Sequence, residues 1–429
     1  MTSTHPSIRR WVRGLALAGL LSSAAVPAAH ALPAQGLPTA QAAQAASRQP
    51  TAMTLPSPGG PYRVGITDLH LVDRSRPDPW RPEQPSRELM VSLWYPARPV
   101  HGRPPAPQLP PGTAGAWGAM AAQPADQGGP GIPLDAADWA GTRTHAQPGV
   151  PVQRRHGGLP VVLYSPGRNV PRGMGTVLAE ELASRGYLVV SIDHTYETTA
   201  VEFPGGRVAA LDLSTERATL QKLLDVRVDD TRFVLDQLAA VDAGRNPDAE
   251  HRPLPAGLSR ALDLSRTGMF GHSIGGATAA QVMHDDPRVK AAADLDGGFV
   301  LGPGEPIGSV VQDGLDRPFL LMSSAIGDHR HPAHAPLWQN LRGWHRNVQL
   351  PAAAHYSYTD LQAQLPQLGA DDGLPDEVVT GNVGTIDPAR SFAAQRAYLD
   401  SFFDLHLRER DDHLLDAPSD CYPEARFVD

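Results

Sequence analysis

A serine surrounded by glycines is the residue of this chain best suited to covalent chemistry. Ser273 lies at the centre of the stretch GHSIG, residues 271–275, which fits the pattern G-x-S-x-G. A strand-like run precedes the stretch, and small helix-forming residues follow it. In such a sharp strand–turn–helix connection, called a nucleophile elbow, the glycines avoid collisions and the serine hydroxyl projects above the sheet. The sequence therefore predicts a nucleophilic serine, and a glycine-rich turn without chemistry is the less favoured alternative.

A serine nucleophile needs a base. The positions of three histidines relative to the predicted strands indicate which of them is the base. His355 comes after the last predicted strand and before the terminal helix, where the chain order serine, acid, histidine places the base. His345 precedes that strand and is expected at the far end of the sheet. His194 ends an earlier strand and is expected to line the pocket. His355 is therefore the predicted base.

Two aspartates compete to orient that base. Asp296 ends the strand after the elbow helix, and Asp328 ends the next strand. Catalytic groups gather at the carboxyl ends of strands, which both residues satisfy. The glycine pair 297–298 after Asp296 permits a tight turn that aims its carboxylate at His355. Asp296 is the predicted acid, and Asp328 is the alternative.

Backbone amides are expected to stabilise the oxyanion. The N–H of Ile274 follows the nucleophile at a helix N-terminus, where negative charge is favoured. The second donor should come from the loop after the strand VVLYS. Pro166 has no N–H, so the backbone of Arg168 is the predicted donor. A simple Pro-Gly turn ending the strand is the alternative.

Alternating strand and helix patterns position these residues. Apolar runs typical of buried strands alternate with amphipathic segments from residue 159 onward, and two more strand-like runs precede them. This order predicts an α/β fold: a doubly wound, mostly parallel sheet of about eight strands with helices on both faces.

Composition divides the chain into segments. Residues 61–410 are predicted to form the catalytic domain, with a Pro/Gly-rich surface insertion at 99–155 and a candidate cap region at 200–260. Residues 32–60, rich in Ala, Gln and Pro, are predicted to be a disordered linker. Residues 411–429 are predicted to be a C-terminal tail.

The first 31 residues predict export. Three arginines, at positions 9, 10 and 13, precede a short apolar run and the small-residue site Ala29-His30-Ala31. This is the pattern of a signal peptide that is cleaved after Ala31 and directs export by the general secretory or the twin-arginine route. The apolar run is too short for a stable membrane span. A secreted protein is therefore expected.

Charge and cysteine content exclude several classes of function. The 429-residue chain has a formal charge of −9, and removal of residues 1–31 takes away three arginines and no acids, giving −12. An acidic protein lacks the basic surface that nucleic acid or anionic lipid requires. The single cysteine, Cys421, excludes an intrachain disulfide.

One histidine-rich stretch raises the alternative of a metal site. The sequence DHRHPAH places Asp328, His329, His331 and His334 within seven residues. The stretch contains a proline, and no second ligand cluster of matching spacing accompanies it. It is interpreted as a solvated loop, and neither a metal nor a cofactor is predicted.

Seven segments, in order, resemble the platelet-activating factor acetylhydrolase-like branch of the α/β-hydrolases across residues 60–410. They are LMVSLWYPA, VVLYSPG, VVSIDHTYE, GHSIGGATA, AADLDGGF, AAAHYSYTDL and GTIDPARSFAAQRAYLDSFFDLHL. The resemblance implies a metal-independent serine esterase that removes short acyl chains from small ester or lipid substrates, in some members phospholipids. The segment LDG matches the position of the family's acid and so favours Asp296. The family often has His-Gly where this chain has Pro166-Gly167.

Together these features predict a secreted carboxylic ester hydrolase, an esterase or lipase that works through an acyl-enzyme. A polyester hydrolase similar to cutinases is an alternative with the same elbow. A non-catalytic binding protein on a hydrolase scaffold is a lower alternative, because it would be expected to carry a broken triad. Acyl-chain length and oligomeric state are left open.

Overall fold

The computed structural model describes residues 50–124, 127–213, 219–300 and 305–428, without the side chains of 370–372. The predicted signal peptide and residues 32–49 of the predicted linker lie outside the described residues. The strands, in chain order, are β1 (Arg63–Asp73), β2 (Arg87–Ala97), β3 (Gln147–Pro148), β4 (Leu159–Ser165), β5 (Leu188–Asp193), β6 (Ala200–Glu202), β7 (Val208–Ala210), β8 (Leu262–His272), β9 (Val289–Leu295), β10 (Phe319–Ser323), β11 (His345–Gln349) and β12 (Arg426–Val428). The helices are α1 (Pro111–Ala121), α2 (Thr176–Ser184), α3 (Leu220–Asp242), α4 (Ile274–Asp285), α5 (Val310–Asp313), α6 (Ala335–Trp338), α7 (Leu361–Asp372), α8 (Asp376–Val383) and α9 (Pro388–Arg408).

Ten of these strands form one sheet, in the order β12-β11-β10-β9-β8-β4-β5-β2-β1-β3. Neighbouring strands from β5 through β4, β8, β9 and β10 to β11 are parallel. Strand β2 pairs antiparallel with β5 and with β1, and β12 pairs antiparallel with β11. The predicted doubly wound, mostly parallel sheet is confirmed. Two short edge strands, β3 and β12, bring the eight predicted strands to ten.

Both faces of the sheet are covered by helices. Every residue of β4 is buried, as expected for a central parallel strand. Successive side chains of β4 point to opposite faces: Val161 joins the apolar layer under α3 and α4, and Val162 joins the layer under α2 and α9. The carboxyl ends of the central strands therefore form one protected edge at which catalytic side chains can be held.

Three segments are more ordered than their composition indicates. The Pro/Gly-rich insertion contains α1, and its Trp117 and Trp139 are buried together against α7, so it is not merely a surface excursion. Met53 and Leu55 are buried, so the prediction of disorder is wrong for residues 50–60. The predicted tail ends in β12 and completes one edge of the sheet.

The candidate cap region has two different parts. Strands β6 and β7 form a separate two-stranded hairpin. Helix α3 instead packs its apolar side, including Leu224, Val234 and Leu238, on the main sheet. Residues 220–242 therefore belong to the helical layer of the fold and not to a cap. Of the helices in the described part of the chain, none has the length and apolar character needed to cross a bilayer.

Candidate active site

The structure places Ser273 at a strained turn between β8 and α4. Its φ of 57° and ψ of −128° lie in a region that residues other than glycine rarely occupy. A Cβ on Gly271 would lie 2.1 Å from the carbonyl oxygen of Gly275, and a Cβ on Gly275 would lie 2.0 Å from that of Ser165. Only glycine fits at either position, so the motif has a steric cause. The turn leaves the serine side chain at the carboxyl edge of the sheet.

His355 lies on the loop after β11, and its ring is held by Asp296. The Nδ1 of His355 is 2.8 Å from Oδ2 of Asp296, and Oδ1 of Asp296 accepts the backbone N–H of Ser324 at 2.7 Å. Burial alone would oppose ionisation. The hydrogen bonds from His355 and Ser324 nevertheless keep the pKa of Asp296 below its usual range. With Nδ1–H donating to this carboxylate, Nε2 is left as the basic nitrogen.

One cavity brings the predicted nucleophile and the predicted base together. Ser273 and His355 both line it, and Tyr356 lies beside them. The loop after β4 forms another wall with residues 167–170, and Gln127 and Gly128 of the insertion border the same cavity. The histidine side chain is about one-third exposed, which gives it access to a ligand.

The two predicted oxyanion donors belong to the same region. Arg168 lines the cavity beside Ser273, and Ile274 is the first residue of α4. Within the described residues, neither backbone N–H donates to a protein acceptor. A Cβ on Gly167 would lie 2.8 Å from Nδ1 of His272, so glycine lets this loop approach the elbow closely. Both amides are therefore available to a ligand oxygen.

A family model for "Platelet-activating factor acetylhydrolase, isoform II" matches residues 48–335. A "Probable 1-alkyl-2-acetylglycerophosphocholine esterase" from Arthroderma benhamiae is 30% identical over 403 residues, covering 90% of this chain and 96% of that protein. The chain belongs to this acetylhydrolase family. A platelet-activating factor acetylhydrolase from Cavia porcellus is 25% identical over 186 residues, 38% of this chain and 40% of that protein. The solved ferulic acid esterase from Streptomyces cinnamoneus is 36% identical, with a TM-score of 0.69, over 88% of this chain and all of that one.

These relatives are esterases, and the protein is a carboxylic ester hydrolase with the α/β-hydrolase fold. In this ester hydrolase, the alternative acid Asp328 has another partner. Its carboxylate binds Arg330 at 2.6 Å, which lowers the pKa of Asp328 to about 2. It makes no hydrogen bond to His355 among the described contacts. His345 lies at the start of β11, away from the carboxyl edge, as its position in the sequence indicated.

The elbow histidine is a site residue that sequence reasoning missed. His272 is buried, and burial lowers its pKa to about 3, so the ring is neutral. Its Nε2 donates to the backbone oxygen of His355 at 2.9 Å, and the two rings are 4.6 Å apart. The residue before Ser273 thus holds the loop that carries His355. The G-x-S-x-G pattern leaves this position open, so the motif carried no signal for it.

The prediction that His194 lines the pocket is wrong. This side chain is fully buried behind the loop after β4, where Nε2 contacts the Oγ of Ser165 and Nδ1 contacts Asp230. The histidine-rich stretch also has protein partners. His334 bonds to the backbone oxygens of Asp328 and Gly297, and His329 stacks on Trp338.

Asp294 lies directly under the elbow. It is fully buried; Oδ1 accepts the N–H of Gly297 at 2.7 Å, and Oδ2 has no partner in the described structure. Burial raises its pKa well above the usual value of 3.8, so the group is a neutral acid. The turn that carries Asp296 therefore rests on a carboxyl group that is not charged.

Asp294→Asn is expected to keep activity and to become more stable than the parent as pH rises. Because the pKa of Asp294 is higher in the folded than in the unfolded protein, its protonated carboxyl stabilises the fold fully below about pH 4. This stabilisation is lost as the pH rises toward the pKa of the folded state. Asparagine cannot titrate, so the difference in unfolding free energy should grow by about 1 kcal/mol per pH unit in that window. Urea unfolding of both proteins at pH 5 and pH 7 measures it. A difference that stays constant would show that Asp294 is ionised in the folded protein.

Proposed function

We propose that this hydrolase is an exported serine esterase in which Ser273, His355 and Asp296 act as a catalytic triad. The observation that carries the proposal is the 2.8 Å contact between His355 and Asp296, on the wall of the cavity that Ser273 also lines. Export is proposed from the leader pattern of residues 1–31. Recovery from the medium of a chain that begins at Leu32 would check cleavage.

In the first half of the reaction, Nε2 of His355 takes the proton of the Ser273 hydroxyl as the oxygen attacks the ester carbonyl. Asp296 keeps Nδ1 protonated and stabilises the imidazolium that forms. The carbonyl oxygen becomes negative and accepts hydrogen bonds from the backbone N–H groups of Ile274 and Arg168. Loss of one such donor typically costs about 10²- to 10³-fold in rate.

In the second half, the tetrahedral intermediate collapses and the leaving alcohol receives the proton from His355. The acyl group now forms an ester with Ser273. Water enters the cavity, gives its proton to His355 and attacks the acyl carbon. The second oxyanion that forms is stabilised by the same two backbone amides. Collapse of that intermediate breaks the bond between the acyl carbon and Oγ of Ser273, His355 returns its proton to Oγ, and the acid leaves.

We propose short acyl esters as the substrate class. The name of the relative from Arthroderma benhamiae specifies a 2-acetyl ester, and that relative aligns with 90% of this chain. A second candidate is an ester of a hydroxycinnamic acid, because the ferulic acid esterase is 36% identical over 88% of the chain. Tyr356 supplies an aromatic ring in the cavity wall, on which a planar acyl group could stack.

A panel of p-nitrophenyl esters from acetate to palmitate, together with methyl ferulate, separates these candidates. We expect kcat/KM to be highest for acetate to butyrate and to fall steeply for longer chains. A rate that is maintained up to palmitate would contradict the short-acyl proposal and favour a lipase or polyester hydrolase. Preference for ferulate would select the second candidate. Absence both of turnover and of labelling by a fluorophosphonate would favour the non-catalytic alternative.

A further inference from the structure

A buried arginine contacts the loop that precedes the proposed oxyanion donor. Arg227 lies in the third turn of α3, and its side chain is 1% exposed. Its Nη1 donates to the backbone oxygen of Pro166 at 2.5 Å and to Oγ of Ser165 at 3.1 Å. Its Nη2 donates to the backbone oxygen of Gly167 at 3.3 Å. One guanidinium thus binds three consecutive residues of the loop.

Glu197 balances the charge of this arginine. Its Oε1 accepts Nε of Arg227 at 2.6 Å and Nη2 at 2.5 Å, and its side chain is also fully buried. A buried cation is tolerated when it is paired and its remaining N–H groups have acceptors. The planar fork of arginine reaches the carboxylate and the two carbonyls at once, which a lysine ammonium cannot do.

A buried Ser–His–Asp arrangement supports the same loop. Burial lowers the pKa of His194, so the ring is neutral and carries a single N–H. With that proton on Nδ1, donating to Asp230, Nε2 accepts the hydroxyl of Ser165 at 3.0 Å. The Oγ of Ser165 is then the acceptor for Arg227. All of these side chains are inaccessible, so the arrangement holds the loop and has no access to substrate.

The peptide plane connects the arginine to the oxyanion. The carbonyl of Gly167 and the N–H of Arg168 belong to one planar trans unit and point in opposite directions. A donor that fixes the carbonyl therefore fixes the direction of the amide. Gly167 has no Cβ to restrict its own rotation, and two donors hold its carbonyl: Nη2 of Arg227 at 3.3 Å and the backbone N–H of Val170 at 3.2 Å.

We propose that Arg227 is a positioning residue for the oxyanion hole. By holding the carbonyls of Pro166 and Gly167, it directs the N–H of Arg168 toward the oxygen that becomes negative in the transition state. The inference rests on the proposed function, because it requires that oxyanion. It assigns no contact between Arg227 and the substrate.

Arg227→Lys tests this assignment. The variant keeps a positive charge beside Glu197 but loses the forked contacts, so kcat for p-nitrophenyl acetate should fall by about 10- to 100-fold. KM should change by less than about threefold, since the ground-state ester makes less use of the amide. Affinity for a trifluoromethyl ketone, which forms an oxyanion on Ser273, should fall by the same factor as kcat/KM.

Arg396→Lys is the matched control. Arg396 is also largely buried, pairs with Glu181 and donates to two consecutive backbone oxygens, those of Pro56 and Ser57, but it makes no contact with residues 165–167 or with Asp230. This control should lose thermal stability while keeping kcat per folded molecule and ketone affinity close to the parent values. If both variants lost kcat and ketone affinity equally, the effect would be general loosening of the fold and the proposal would be wrong.

Glu197→Gln provides the second variant if Arg227→Lys does not fold. It preserves the shape of the pair and removes its negative charge, so a smaller fall in kcat and in ketone affinity is expected, with KM retained. Parent-like kcat and ketone affinity in folded Arg227→Lys, or in Glu197→Gln, would overturn the proposal. Failure of the proposed function is seen separately, because the unmodified protein would then neither bind the ketone nor label with a fluorophosphonate.

Discussion

Ser273→Ala is expected to reduce kcat for p-nitrophenyl acetate by about 10⁴-fold or more, the scale seen when a serine hydrolase loses its nucleophile. The change removes one hydroxyl and leaves the backbone strain in place, because alanine faces the same positive φ of 57°. The fold should therefore survive, and the melting temperature should stay within a few degrees of the parent. Steady-state kinetics and thermal unfolding on the same sample measure both effects.

Ser165→Ala provides the comparison, because Ser165, His194 and Asp230 form a Ser–His–Asp arrangement of their own, apart from the proposed triad. Ser165 contacts His194 at 3.0 Å but is completely buried, whereas Ser273 lines a cavity. Fluorophosphonate should label the Ser165→Ala protein and should not label the Ser273→Ala protein. The reverse pattern would assign the nucleophile to Ser165 and would require the loop over it to open.

The sequence was sufficient for the central sheet because burial leaves a direct pattern there. All seven residues of β4 are buried, and the run LPVVLYS has the continuous apolar character that this position demands. The elbow could be predicted for a related reason: the backbone contacts that exclude a Cβ at Gly271 and Gly275 are local to the turn. Where geometry is determined by neighbours in sequence or by a whole buried strand, the residue types are informative.

The buried network behind the oxyanion loop could not be predicted in this way. Ser165, His194 and Asp230 come from β4, the end of β5 and α3, and the partners are separated by 29 and 36 positions in the chain. No local period connects them, and the only signal at His194 is its position at the end of a strand, which predicts a pocket residue. Arg227 is three residues before Asp230 on the same helix and reaches the same loop. Its role depends on tertiary contacts only.

The insertion shows how composition can mislead. Proline and glycine predicted a surface excursion for residues 99–155, yet Trp117 and Trp139 pack edge to face, 5.9 Å apart, in a buried cluster with α7. Two tryptophans within a Pro/Gly-rich segment were the available signal, since burial of such large side chains contributes strongly to stability. The segment also supplies Gln127 and Gly128 to the wall of the cavity that Ser273 and His355 line.

Asp328→Asn is the control for the prediction about the acid. Asp328 lies on the loop after β10, which ends at Ser323, but its carboxylate is bound to Arg330 and is not bonded to His355 among the described contacts. Loss of a mostly surface-facing ion pair typically costs less than about 1 kcal/mol. We therefore expect kcat to change by less than about threefold, with only a small change in melting temperature.

Asp296→Asn is expected to lower kcat by about a thousandfold or more while the protein stays folded. Both oxygens of Asp296 accept hydrogen bonds, one from Nδ1 of His355 and one from the N–H of Ser324. Asparagine has a single acceptor oxygen, so its NH₂ group must face one of these two donors. If it faces His355, the ring shifts its proton to Nε2 and loses its basic nitrogen; if it faces Ser324, the buried loop is destabilised. Steady-state kinetics of this variant beside Asp328→Asn, with melting curves for both, measure the difference. The opposite result, a thousandfold loss in Asp328→Asn and parent-like rates in Asp296→Asn, would assign the acid's role to Asp328. The hydrogen bond between His355 and Asp296 would then have no catalytic consequence.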